Sequence, residues 1–176
     1  MIGRWRRRHR PDAEPPEPAE PFGTADGPGR RHRAVLDSRP AGIKLARRIT
    51  VTVLTGWGLH PRTTVHDAAV LAATELAANA VRHAAPRSPS FELSLVLSSR
   101  HLDVAVRDRH PAPAALPGPG AGGGLAALAE LAAELGGALA LLPAPDGGKS
   151  VRARLALDPV AATGPRPAPA TPLEQP

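Results

Sequence analysis

The stretch Thr74-Glu75-Leu76-Ala77-Ala78-Asn79-Ala80-Val81-Arg82-His83 lies inside the longest uninterrupted helical pattern of the chain. On a wheel of about 100° per residue, Val65, Ala69, Ala72, Leu76 and Ala80 fall in one stripe that faces a core. Glu75 and Asn79 are four residues apart and stack on one side. They lie about 80° and 40° from the centre of the stripe, at its edge. His83 continues the line. A carboxylate, a carboxamide and an imidazole aimed toward an interior need partners, because burying them unpaired is costly. A ligand or a metal would serve.

Outward from this helix, toward the C-terminus, the period changes from 3.6 to 2. Phe91, Leu93, Leu95 and Leu97 alternate with Glu92, Ser94, Val96 and Ser98, the pattern of a half-buried strand. Ser99-Arg100-His101 turns the chain, and Leu102, Val104 and Val106 alternate with Asp103, Ala105 and Arg107 in a second strand of a hairpin. If that strand runs one residue further, Asp108 points inward with Val106 and wants a hydrogen-bond donor. If it does not, Asp108 caps the turn. Residues 109–124 form a Pro/Gly-rich loop, long enough to expect a functional role. The loop ends on Gly122-Gly123-Gly124 and opens a helix over Leu125–Leu135. Free N–H groups at such a junction suit an anion, although glycine also flanks ordinary helices. Ala138–Leu142 reads as a strand. Val151, Ala153, Leu155 and Leu157, alternating with Arg152 and Arg154, make the last one.

Toward the N-terminus, a loop with Pro61 precedes the central helix. Before it, a helix opens at Pro40, which suits a first turn, and ends near Gly56-Trp57-Gly58. Arg33-Ala34-Val35-Leu36 is a short candidate strand. Grouped strands with interleaved helices predict an α+β two-layer sandwich: a mixed, mostly antiparallel sheet with helices on one face. Neither a Walker loop nor a dinucleotide glycine fingerprint is present.

Composition sets the limits of this unit. With 22 prolines and 17 glycines in 176 residues, unevenly spread, the folded part spans about 34–157. Residues 1–33 read as a disordered basic arm and linker, and 158–176 as a disordered Pro/Ala-rich tail. The net charge of +6 is shared between arm and domain, with its densest cluster at Arg4, Arg6, Arg7, Arg8 and Arg10. Such a run suits nucleic acid, anionic lipid or an acidic partner, or it is a solvated arm. No cysteine is present, so thiolate metal sites and disulfides are excluded. No apolar run follows the arginines as in a signal peptide, and none reaches the roughly 18 residues of a membrane span. A soluble, cytoplasmic protein with no membrane partner is expected.

The Glu-x-x-x-Asn pair, the strand-end Asp and the glycine-to-helix junction together resemble the GHKL (histidine kinase-like) ATP-binding superfamily, and more closely the anti-sigma-factor serine kinases of the RsbW type. Glu75–Ala84 resembles their N box. Val104–Asp108 resembles the strand into the first glycine box, Gly122–Leu125 the second box, and Gly147-Gly148-Lys149-Ser150 the closing motif. The resemblance covers about 34–157 and implies a histidine-kinase-like ATPase fold, ATP and Mg²⁺ as ligands, and a sigma factor or an anti-sigma-factor antagonist as partner. It implies Asn79 as the Mg²⁺ ligand, since a carboxamide oxygen suits a hard cation. It implies Glu75 as the catalytic group that orients or deprotonates the attacking hydroxyl. Asp108 would accept from the adenine amino group, Gly122, Gly123 and Gly124 would cradle phosphate, Ser150 would contact the adenine side, and 109–121 would be a lid. Relatives of this type suggest a homodimer.

The chain also departs from the pattern. The first glycine box reads Asp108-Arg109-His110-Pro111-Ala112, without the glycines that let a backbone approach the base. His110 stacks on a base in one reading and is an exposed loop residue in the other. His83 reads as a structural hydrogen-bond partner, because no second imidazole stands at ligand spacing. Three functions stay open: an ATP-dependent serine/threonine protein kinase with anti-sigma activity, a partner-binding module on the same fold with weak or no turnover, and nucleic-acid binding through the arm. The third lacks a stacking platform or an Arg/Lys-rich reading helix.

Overall fold

The computed structural model describes residues 29–84, 88–110, 116, 122–144 and 147–157. The arm before Gly29, most of the lid and the C-terminal tail lie outside them. Five strands and three helices follow in the order β1 (Arg30–Asp37), α1 (Pro40–Gly56), α2 (Thr64–Ala84), β2 (Ser90–Leu97), β3 (His101–Asp108), α3 (Gly124–Glu134), β4 (Ala138–Pro143) and β5 (Lys149–Ala156). They form one sheet of order β1-β2-β3-β5-β4 in which every pairing is antiparallel. The architecture is the expected α+β sandwich, with the helices over one face. No helix among the described residues is long and apolar enough to cross a membrane.

Strand alternation decides what the helices cover. Leu36, Phe91, Leu93, Leu95, Leu102, Val104, Val106, Val151, Ala153 and Leu155 are buried on the inner face. Against them α2 lays Val65, Ala69, Ala72, Leu76 and Ala80, the stripe read from the sequence, widened by Ala68, Ala73 and Ala77. The widening is physical. α2 packs against α1 and α3 as well as the sheet, so residues beside the stripe are covered too, and alanine permits that close approach. In a core with so few aromatics, the buried leucines and Phe91 provide the volume. Truncating one such as Leu76 to Ala removes about 2–5 kcal/mol.

Local signals explain the element ends. Pro40 stands in the first turn of α1. Thr63 precedes α2, and its Oγ1 accepts a hydrogen bond from the His66 N–H at 3.4 Å, the geometry of an N-cap. In the β2–β3 hairpin, Ser98 Oγ accepts from the N–H groups of Arg100 and His101 at 3.3 and 3.0 Å, which closes the turn. β1 starts at Arg30, ahead of the Arg33–Leu36 segment expected from alternation, so residues 30–33 belong to the sheet and not to an arm ending at residue 33. Its length is set by its partner: Arg30 to Asp37 pair with Leu97 to Ser90 over the full length of β2. Backbone pairing carries the arginines that composition alone assigned to a solvated segment.

Candidate functional site

The site grows from the edge of α2. Glu75 and Asn79 are both half-buried, one turn apart, where the buried stripe gives way to solvent. The stripe ends at Ala80. Arg82 and His83 are exposed in the last turn, where cations suit the negative end of a helix. His83 therefore does not reach the interior as its place on the wheel suggested, because the covered length of α2 stops before it.

α3 meets this edge. Gly122 and Gly123 have φ of 72° and 92°, values that only glycine adopts without strain. They turn the chain into a helix that begins at Gly124. Gly124 is in contact with Glu75 so intimate that a Cβ there would collide with the carboxylate. The first N–H groups of α3 have no partner within the helix. A carboxylate beside them is favoured by the helix dipole, and so is the phosphate that the sequence reading placed there. The two motifs, fifty residues apart, thus converge on one spot.

Asp108 is the last residue of β3, and the strand does continue to it: its register partner is Lys149, the first residue of β5. Its carboxylate points inward and is buried. Oδ1 accepts from Lys149 Nζ at 2.8 Å and from the His110 N–H at 2.8 Å. The Lys149 and Asp108 side chains are 4% and 2% exposed, so the pair is shielded from water, and each charge depends on the other. Gly148 packs onto the backbone of Asp108 and Arg109 so closely that a Cβ would collide with the Asp108 carbonyl. Ser88, fully buried, adds a brace: its Oγ accepts from the Arg109 N–H at 3.1 Å and donates to the Ser90 carbonyl at 2.6 Å.

Ser150 is not brought to this place. Its register partners are Arg107 and Leu142, which puts it on the outer sheet face with Arg152 and Arg154, while Lys149 holds the inward position. The alternation of Val151, Ala153 and Leu155 already carried that signal, since residue 149 shares their parity and residue 150 does not. Ser88 is the part that reading the sequence missed, while Gly148 and Lys149, quoted in the closing motif, were given no role of their own. His110 contributes its backbone N–H to Asp108. Residues 111–115 and 117–121, assigned to the lid, lie outside the described residues.

The donor set fits a magnesium nucleotide. Among the described residues no group of three or more His, Asp or Glu could hold a metal ion by itself. A divalent ion here would rest on the Asn79 carboxamide and on phosphate oxygens, the usual way Mg²⁺ is held at phosphoryl sites. With such a ligand, Asn79, Glu75 and the start of α3 would serve the phosphate end, and Asp108 would serve the base end. A separate groove of about 560 Å³ between α1 and the first half of α2, lined by Arg47, Val51, Pro61, His66, Val70 and Leu71 among others, includes none of these residues. His66 is buried there and hydrogen-bonds Asp67 through Nδ1 at 3.0 Å. That bond holds the exposed Asp67 carboxyl below its usual pKa.

Comparison with known proteins agrees with this fold. No curated protein matches the chain. Among solved structures, the RsbU and RsbW domains of Rv1364c from Mycobacterium tuberculosis superpose with a TM-score of 0.52 at 18% identity, over 73% of this chain and 33% of that one. The chain thus spans about a third of that protein's length, and at this identity the likeness is one of fold. A family model described as a histidine kinase-like ATPase domain matches residues 36–143, well over half of the sequence. This chain belongs to the histidine kinase-like ATPase domain family.

Proposed function

We propose that this domain binds Mg²⁺–ATP between the edge of α2 and the start of α3, and that it works as a cytoplasmic regulator of the anti-sigma type, a serine/threonine protein kinase acting on a protein partner. The observation that carries the reading is the contact of Gly124 with Glu75, which unites a carboxylate, a carboxamide one turn away and a helix N-terminus in one place. The bound nucleotide would supply the transferable phosphoryl group. Asn79 would hold the metal through its amide oxygen. The N–H groups at the start of α3 would face the phosphate oxygens. Glu75 would take the proton of the attacking serine or threonine hydroxyl as its oxygen bonds the γ-phosphorus and the bond from that phosphorus to the departing ADP breaks. The partner is a sigma factor or an antagonist of an anti-sigma factor, and assembly as a homodimer is part of the same reading.

A second reading is favoured by a specific observation. The carboxylate at the base end is already paired with Lys149, and the glycines of the first box are replaced by His110 and Ala112. A partner-binding module with little turnover would tolerate both. Two measurements on purified protein separate the readings. Titration calorimetry with ATP and Mg²⁺ tests binding, and ADP release in the presence of the partner tests transfer. Under the kinase reading Glu75→Ala keeps ATP binding and loses transfer. Equal transfer by Glu75→Ala removes Glu75 as the base. Binding without transfer in the native protein favours the module.

A further inference from the structure

We propose that the acidic segment 12–26, which precedes β1, lies across the basic outer face of this chain's own sheet. The helices cover one face, and strand alternation sends the other set of side chains outward. Register sets these in rows. Arg31, Val96, Asp103 and Arg154 form one row, Arg33, Ser94, Ala105 and Arg152 the next, and Val35, Glu92, Arg107 and Ser150 the one after. Glu92 and Asp103 are the carboxylates of these rows, against Arg31, Arg33, Arg107, Arg152 and Arg154. Asp103 is already engaged by Arg154. The face is therefore basic in excess, and Arg31, Arg33 and Arg107 are exposed on it. Val35 stands beside them at 70% exposure.

The complement lies in the same chain. Residues 11–28 hold Asp12, Glu14, Glu17, Glu20 and Asp26 and no Lys or Arg. Gly27, Pro28 and Gly29 alone separate Asp26 from β1. Gly29 lies against the Leu97 carbonyl and Ser98 of β2, where a Cβ would collide, so the segment joins the sheet at the corner that carries Arg31. β1, β2, β3 and β5 lie side by side, and at a strand spacing of about 4.8 Å the rows run about 14 Å from β1 to β5. About 14 extended residues reach about 45 Å, so the acids span the face with length to spare. A tether this short holds them at an effective concentration on the order of millimolar. Pro15, Pro16, Pro18 and Pro21 favour an extended path without backbone pairing, which suits a strap held by its side chains. Phe22, the one large apolar side chain of the segment, has Val35 within reach. An acidic partner from outside would have to displace this strap to reach the arginines.

The test places a spin label on the segment and reads the sheet. The chain has no cysteine, so Ala19→Cys in the full chain takes a single nitroxide between Glu17 and Glu20. Amide NMR spectra then show which residues the label approaches. Signal loss is expected at Ser94, Val96, Ala105, Arg152 and their row neighbours, with α2 and α3 much less affected. Raising the salt from about 0.15 M to about 1 M shortens the screening length from about 8 Å to about 3 Å and should return the signals. Glu14→Lys/Glu17→Lys/Glu20→Lys should return them as well, and adding Arg31→Glu/Arg33→Glu should bring part of the loss back. If that combination does not fold, the segment variant, which alters none of the described residues, decides alone. Loss confined to β1 beside the tether overturns the proposal: the acids then stay in solvent or with the arginines of residues 4–10, and the face is left to an external acidic partner. Loss that persists at high salt or in the segment variant also overturns it. A mixture of spin-labelled chain and isotope-labelled chain without the nitroxide separates the copies. Loss in the isotope-labelled copy puts the segment on a second chain and overturns docking within one.

Discussion

At one end of the site, Glu75 and Asn79 sit on a single helix, and α3 approaches so closely that a Cβ on Gly124 would displace the Glu75 carboxylate. At the other end, Asp108 and Lys149 come from neighbouring strands and close upon each other. The first end leaves polar groups half-exposed at a helix edge, where they can turn to a ligand. The second satisfies its carboxylate from within the protein. Under the proposed nucleotide reading, phosphate and base recognition would be held by different kinds of structure, and a change at one end should leave the other largely intact.

The strongest way to break this division is Asp108→Ala. It strands the Lys149 ammonium in a buried position, and removing one partner of such a pair costs about 3–5 kcal/mol. Urea unfolding should show that loss as a lower midpoint. A midpoint near that of the native protein would mean that Lys149 reaches water easily and the base end is open. Gly148→Ala comes next. A methyl group would meet the Asp108 carbonyl, which belongs to a rigid sheet, and overpacking of this kind costs about 1–3 kcal/mol.

Gly124→Ala should cost less, about 1 kcal/mol, because the obstructing atoms are the far end of the Glu75 side chain, which can swing away. Its sharper effect is on the phosphate end, where weaker ATP binding is expected. Combining it with Glu75→Ala should recover stability relative to the sum of the two changes, the mark of directly coupled residues. Strict additivity would mean that α3 does not rest on Glu75. The smallest effect on nucleotide affinity is expected away from the site. Asp103 and Arg154 pair across β3 and β5 on the outer face through two hydrogen bonds of 2.7 and 2.8 Å, and both side chains are largely buried. Asp103→Asn should lower stability by about 1–3 kcal/mol and leave nucleotide affinity unchanged.

The difference between the two ends also governs how much could be read in advance. α1 opens at Pro40 and ends at Gly56 as proline and glycine indicated. The buried stripe of α2 follows a 3.6-residue period, and the strands follow a period of two. These are local regularities, and one stretch of chain contains them. The same holds for Glu75 and Asn79, whose spacing of four fixes their common side. Asp108 and Lys149 are 41 residues apart in sequence, and only strand pairing brings them together. Parity along β5 held half of that information, since it turns Lys149 inward and Ser150 outward, but no local pattern names the partner strand. The start of β1 was hidden for a related reason: Arg30 and Arg31 read as a charged arm until β2 supplies the hydrogen bonds that make them a strand. The exposure of His83 depends on where the packed length of α2 ends, which is again a property of its neighbours.

The central claim is that α2 and α3 together hold a magnesium nucleotide. The most direct test is titration calorimetry of the full chain with ATP, run with Mg²⁺, with a chelator, and on Asn79→Ala. A saturable binding heat that requires Mg²⁺ and is lost or strongly weakened in Asn79→Ala is the predicted result. The absence of any binding heat up to millimolar ATP with Mg²⁺ present would contradict it.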